Sequence, residues 1–175
     1  MKKLIILTAL FMLFACQTES EKNGGIGQID RSVNLVTPSG ESIKTILAIS
    51  PTEQEKGLSG VKPEDFSENE GMLFFDLEDN ERYFWMPDTY FDLDLIYLDK
   101  DLKIVEIVRK LPHHIGRSNP HLIPRAPRVW ARHVLEMKAT SEIAKKLKTG
   151  DTLGWKSPMT LKETEDKIKE SFKKD

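Results

Sequence analysis

Beyond residue 30 the chain alternates apolar and polar side chains in short runs separated by turn-forming residues, the pattern of strands with one face in a core. Residues 32–37 and 42–50 flank Pro38-Ser39-Gly40 and predict a hairpin, since proline and glycine suit the backbone angles of a tight turn. Pro51-Thr52-Glu53-Gln54-Glu55-Lys56 predicts one or two helical turns, opened by Ser50 as N-cap and closed by Gly57. Apolar runs at 71–77 and 82–86 around Glu78-Asp79-Asn80 predict a second hairpin. Runs at 92–98 and 102–111 around Asp99-Lys100-Asp101 predict a third. Strands at 129–136 and 152–156 follow, with a short helix over 140–147 that places Ile143, Ala144 and Leu147 on one face.

Two stretches break this rhythm. Residues 112–128 hold four prolines, three histidines and a glycine, and read as a long surface excursion. The tail, 158–175, is charged, with only Leu161, Ile168 and Phe172 as apolar anchors, and predicts a solvated or frayed helix. Many short strands joined by turns define a mainly β fold, a compact antiparallel sandwich or small barrel with one or two short helices. No internal repeat interrupts the β domain of residues 31–157.

The first thirty residues follow a different logic. Lys2-Lys3 precede an apolar run from Leu4 to Phe14, and Leu13-Phe14-Ala15-Cys16 is followed at once by polar residues. A bilayer span needs about 20 apolar residues, so the run reads as a cleaved leader, 1–15. Leu13 stands where an ordinary cleavage site wants a small residue, whereas Cys16 fits a lipobox, with Phe14 a bulky departure from that pattern. The expectation is a lipidated Cys16, a flexible polar tether over 16–30, and an exported domain held to a membrane through that lipid. With Gln17 next, the anticipated location is the cell envelope, at the outer membrane facing the periplasm in a Gram-negative host. Cys16 is the single cysteine, so intramolecular disulfides are excluded and stability must come from the core. Removing Lys2 and Lys3 takes the formal charge from −2 to −4, which argues against a nucleic-acid partner.

Three blocks are unusual in combination: Lys56-Gly57-Leu58, Glu70-Gly71-Met72-Leu73-Phe74-Phe75, and Phe84-Trp85-Met86 with Thr89, Leu93 and Asp94. With Val134-Leu135-Glu136 and Gly150-Asp151, their order resembles the bacterial and archaeal family called domain of unknown function 192, over about residues 32–155. The resemblance implies a compact, mostly antiparallel β fold, frequently exported, and brings no established activity. The chain departs from the family pattern at Pro87-Asp88, where Lys-Asn is usual, at Asp92, where proline is usual, and at Ser59, where methionine is common.

Candidate chemistry rests on carboxylates, aromatic rings and histidines. Asp92 and Asp94 are two apart on a predicted strand and so share a face. Such a pair can act as acid and base or hold a hard cation; alternatively Asp94 accepts structural hydrogen bonds and Asp92 is solvated. Alternation puts Phe84 and Met86 on one face and Tyr83 and Trp85 on the other. If Trp85 borders a concavity, it forms with Asp88, Thr89, Asp94 and Glu136 a platform for a sugar or other polar ligand; core packing is the competing use of these rings. His113, His114 and His121 cluster in the excursion, with His133 beyond. Their spacing matches no zinc motif, and His113 and His121 are the weak metal candidates, with no metal expected. Arg109, Arg117, Arg125, Arg128 and Arg132 surround the same segment, as a solvated rim or one facing anionic lipid or acidic glycan. No nucleophile elbow or phosphate loop is present, and no cofactor is expected. Three functions stay open: binding of a polar ligand or envelope partner; a hydrolase or transferase on envelope glycan using Asp92, Asp94, Glu70 or Glu136; and a structural or assembly role.

Overall fold

The computed structural model describes residues 29–173; the leader, Cys16 and all but the last two tether residues lie outside them. Nine strands form a curled seven-stranded sheet of order β6-β5-β8-β3-β2-β1-β9 and a two-stranded ribbon, β4-β7. The strands are β1 (Ser32–Val36), β2 (Ser42–Ala48), β3 (Glu70–Phe74), β4 (Asn80–Arg82), β5 (Leu93–Leu98), β6 (Ile104–Leu111), β7 (Val129–Ala131), β8 (His133–Lys138) and β9 (Gly154–Lys156). The sheet edges meet: Lys103 bridges Thr152, Ile104 N–H donates to Asp151 O at 2.8 Å, and Leu153 N–H donates to Leu102 O at 3.0 Å. The mainly β class is therefore realised as a small barrel.

The β1–β2 and β5–β6 hairpins form as the turns predict. The hairpin anticipated at 71–77 and 82–86 does not. Instead β3 pairs parallel with β2 and antiparallel with β8, while β4 pairs with β7. Leu73, Phe74 and Phe75 are all buried, so this run needs cover on both faces and takes a central place. The parallel pairing requires a crossover, supplied by α1 (Pro51–Lys56) and a 3-10 turn (Pro63–Asp65). Helix α1 begins with a capping box in which Ser50 and Glu53 satisfy each other's backbone N–H groups. It ends at Gly57, whose φ of 48° and 3.0 Å approach of a would-be Cβ to Phe74 leave room only for glycine.

Two cores result from strands buried on both faces. Val33, Leu35, Ile43, Leu47, Leu73, Ile96, Leu98, Leu135 and Met137 fill the barrel. Leu93, Leu95, Tyr97, Val134 and Phe74 face outward, beneath Leu58, Phe66, Met86, Ile123 and Ala126. The 112–128 excursion is thus pinned by Ile123 and Ala126, which explains how a proline-rich segment lies flat on the sheet. At Gly71 a Cβ would sit 2.7 Å from Leu135 Cδ1, overpacking the interior at a cost of about 1–3 kcal/mol.

The charged tail differs from its expectation. Helix α3 (Leu161–Ser171) opens with a Thr160/Glu163 capping box and buries Ile168 in the barrel core, with Thr164, Glu165 and Ser171 also buried. A deeply placed Ile168, Leu161 packed against the same core and a good cap dock a helix whose sequence reads as solvated. Helix α2 (Glu142–Lys146) is capped by Ser141. All strands, the closing bonds and both cores described lie within residues 29–173, so a chain lacking residues 1–16 keeps every one of these contacts.

Candidate functional site

The outer core is not sealed everywhere. Between the end of α1 (Gln54 to Ser59) and the segment from Glu81 to Pro87 lies an open cleft of about 380 Å³, floored by Phe74, Leu93 and Glu136. The cleft exists because the chain leaves the sheet twice, once through the parallel crossover and once after β4, and the two departures stand apart above β3, β5 and β8.

Glu136 dominates the floor. In β8 it alternates with Leu135 and Met137, which point into the barrel, so its own side chain points outward under the cleft. It is 5% exposed, and among the described residues no donor engages its carboxyl. Burial alone pushes its pKa up to about 8, so the group is mostly a neutral acid at neutral pH. Tyr97 projects from the same sheet face one diagonal away, since Leu95 pairs with Glu136 and Tyr97 with Val134. Its buried hydroxyl also has no partner, and burial, then the Glu136 charge, raise its pKa. A buried hydroxyl without an acceptor and a carboxyl without a partner therefore occupy diagonal positions on one face of the sheet, with the carboxyl under the cleft.

The walls are aromatic and charged. Tyr83 and Trp85 are exposed and Met86 is buried, as the alternation predicts, with Phe84 edge-on to Phe74 at 4.8 Å between centroids. Trp85 is 43% exposed and carries the Arg125 guanidinium 5.9 Å from its ring centroid. Arg82 lines the cleft while paired to Asp76 at 2.5 Å, and Glu81 is paired to Arg128 at 2.5 Å. Thr89 is a buried lining residue whose backbone exchanges hydrogen bonds with His114. Asp88 sits behind the wall as a clamp: at φ 51° it accepts at its carbonyl from Gly60 N–H (2.8 Å), donates its N–H to Gly116 O (2.8 Å), and accepts at Oδ1 from Gly116 N–H (3.2 Å). It joins three loops rather than lining the cleft.

The other sequence candidates lie elsewhere. Asp94 shares the interior face with Ile96 and Leu98, where it is buried and bound by Arg109 at 2.6 Å and by Lys110 N–H at 2.9 Å. It does not meet Trp85 or Glu136. Asp92 is half-exposed and accepts from His113 Nδ1 at 2.6 Å and from His113 N–H at 2.9 Å; the histidine contact holds its pKa down. Glu70 accepts from Ser67 N–H (2.8 Å) and Lys44 Nζ (2.9 Å) at the start of β3, and these bonds hold its pKa low. Among the described residues the four candidate carboxylates share no cleft, and no three His, Cys, Asp or Glu side chains converge on a metal position. His121 is exposed, whereas His133 is sealed against Phe75 at 4.5 Å, accepts Asp76 N–H at Nδ1, and has its pKa lowered by burial to about 3. Reading the sequence missed Tyr97, Gln54, Ser59 and Arg82. For Tyr97 only the face is readable: period two puts it with Leu95, while its place diagonal to Glu136 depends on the pairing of β5 with β8.

A small β-barrel with an open cleft over a buried, unpaired acid is the class that this geometry defines. The DUF192 family model, described as Uncharacterized ACR, matches residues 34–155, and the chain belongs to that family. Two solved structures share the fold. One is of a "putative transcription regulator" from Sinorhizobium meliloti 1021, 27% identical, with TM-score 0.54, covering 71% of this chain and 92% of that one. The other is of a protein of unknown function from Novosphingobium aromaticivorans DSM 12444, 25% identical, with TM-score 0.56, covering 71% of this chain and 84% of that one. No curated protein matches.

Proposed function

We propose that the protein is an exported, lipid-tethered envelope domain that binds a small polar ligand in the cleft above Glu136. The observation that carries this reading is the Glu136 carboxyl, buried and without a partner among the described residues at the floor of an open cleft. A buried polar group left unpaired costs about 1–3 kcal/mol, which a ligand supplying the missing partner returns as affinity. Trp85, Tyr83 and Phe84 offer ring faces and edges on which a sugar or another flat polar group can lie. The tether reading is supported by Cys16 in its lipobox-like setting and by the polar stretch that follows it.

Two measurements test the two halves. Titration of the leaderless chain with N-acetylglucosamine oligosaccharides, as a glycan probe, should shift amide resonances of residues 54–59 and 83–87. Glu136→Ala and Trp85→Ala should each weaken that binding by about tenfold. Absence of any shift with these and with a panel of small polar fragments would remove the cleft reading. For the tether, intact mass of envelope-derived protein should show acyl chains on a chain beginning at Cys16, and Cys16→Ala should abolish them; normal acylation of that variant refutes the assignment.

A second reading has its own observation. A carboxyl held neutral near pH 7 is what a general acid in glycan hydrolysis or transfer needs, and Glu55 and Glu81 line the same cleft as Glu136. Loss of product release from the oligosaccharide in Glu136→Gln, with binding retained, would favour the enzyme over the binding module.

A further inference from the structure

From residue 107 to residue 135 the chain carries no carboxylate but six cationic side chains, at Arg109, Lys110, Arg117, Arg125, Arg128 and Arg132, in a protein of net charge −2. The fold lays much of this segment antiparallel along residues 80–89, with Asn80 opposite Ala131, Arg82 opposite Val129, Trp85 opposite Arg125 and Thr89 opposite His114. Directly opposed residues point the same way, so Glu81 and Trp130 share a face. It continues to Tyr83, with the Arg128 guanidinium 5.0 Å from its ring centroid, and, after a one-residue shift of register, to Trp85, with Arg125 at 5.9 Å. That face is turned to solvent. Trp130 is 68% exposed, and at the far end of the excursion Leu122 and Ile115 are 69% and 64% exposed. Arg109, Arg128 and Arg132 are engaged by Asp94, Glu81 and Asp79, whereas Lys110, Arg117 and Arg125 have no ion-pair partner among the described residues.

Three large apolar side chains exposed along one segment, Ile115, Leu122 and Trp130, with the unpaired Arg117 and Arg125 between them, are poorly accounted for by solvation alone. Tryptophan and leucine gain by entering the headgroup–acyl boundary, while arginine keeps its charge at the phosphate level. The path of the chain supplies the second observation. Leu47 N–H donates to Arg31 O, Ser32 pairs with Ile46, Ala48 with Phe74 and Phe74 with Val134. Residues 29–31, with Ile29 packed in the core, therefore join the barrel at the end where β8 begins, which is where β7 and Trp130 stand. Twelve residues separate Cys16 from Ile29, so a lipid on Cys16 would connect to the domain at that same end.

We propose that the outer face of the 80–89/112–131 ribbon is a second membrane contact, seating Trp130, Leu122 and Ile115 in an anionic lipid surface with Arg117 and Arg125 on its phosphates. Proximity to the membrane rests on the tether reading; the lipid-binding chemistry of the face does not. The contact would hold the domain against the bilayer with the mouth of the cleft, walled by Tyr83 and Trp85, near the headgroups.

The test uses the leaderless chain from Gln17, which has neither leader nor Cys16, in sedimentation with vesicles of phosphatidylcholine alone or mixed with phosphatidylglycerol. It should bind the mixed vesicles at low salt, release as salt rises, and show quenching of tryptophan emission by brominated lipid. Arg117→Glu/Arg125→Glu and Leu122→Ser/Trp130→Ala alter exposed positions, should leave thermal unfolding unchanged, and should each weaken vesicle binding by at least about tenfold. No preference for anionic vesicles, or equal binding by both double variants, overturns the proposal. So does retention on duplex DNA without retention on vesicles, which would make the cationic face a nucleic-acid surface. Because Cys16 is absent from this chain, vesicle binding and the acylation mass measurement fail or succeed separately.

Discussion

Replacing Glu136 by glutamine is expected to stabilise the protein by about 3–5 kcal/mol above pH 8 and to leave it nearly unchanged below pH 4.5. The ordinary glutamate value is 4.5 and the folded value about 8, so the fold binds this proton more tightly than the unfolded chain does. Below pH 4.5 both states hold the proton and the full contribution is present. As pH rises the unfolded chain ionises first, and stability falls by about 1.4 kcal/mol per pH unit until the folded group also ionises near pH 8. The amide has the same shape and cannot ionise, so its unfolding free energy should lack this alkaline decline. Urea unfolding from pH 4 to 9 measures both curves, and parallel curves would show that Glu136 is not held neutral.

His133 acts in the opposite sense. Its folded pKa of about 3 lies below the ordinary 6.5, so its contribution is complete above pH 6.5 and is lost as pH falls toward 3. Between about 4.5 and 6.5 the two slopes oppose each other, which places the broad stability maximum of the parent protein there. A ligand cation paired with Glu136 would lower its folded pKa and flatten the alkaline limb, so the same titration in the presence of a ligand reports on the charge that the cleft accepts.

What the sequence could disclose depended on the range of the interaction. Caps and turns are local: the Ser50/Glu53 box, Gly57 and the turn at Asp99 to Asp101 were legible because a few adjacent residues determine them. Strand existence was legible from alternation, but strand partners were not. Period two fixes a face and says nothing of the neighbour, so the apolar run at 71–77 read as half of a hairpin when it is a central strand between β2 and β8. The same limit governs the candidate site. Trp85 and Glu136 line one cleft, and of the two only the face of Trp85 follows from the alternation read above. Asp94 enters the predicted platform through its place in the family-like block with Trp85, whereas the face that it occupies belongs to the barrel interior. The docking of the tail escapes the pattern because Leu161, Ile168 and Phe172 are too sparse to register as a stripe, and of these only Ile168 is deeply buried.

Arg109→Met should destabilise the protein by about 3–5 kcal/mol, lowering the thermal midpoint by about 10 °C, without altering binding at the cleft. Arg109 gives Asp94 a 2.6 Å ion pair and donates to the Ala144 and Leu147 carbonyls at 2.7 and 2.6 Å, so one guanidinium closes the barrel mouth and ends α2. Methionine keeps much of the aliphatic stem but leaves Asp94, buried beside Met137 of β8, with Lys110 N–H as its remaining donor. An ionised carboxylate stripped of its charge partner in that setting carries a desolvation penalty that one backbone bond does not offset. Asp94→Asn removes the charge at its source, so the double variant should lose clearly less than the two single losses added together. Additive losses in that cycle would mean that Arg109 acts only through the α2 carbonyls. A weakened cleft in the still-folded Arg109→Met protein would connect Asp94 to the ligand site across the sheet, against the placement of its side chain on the interior face.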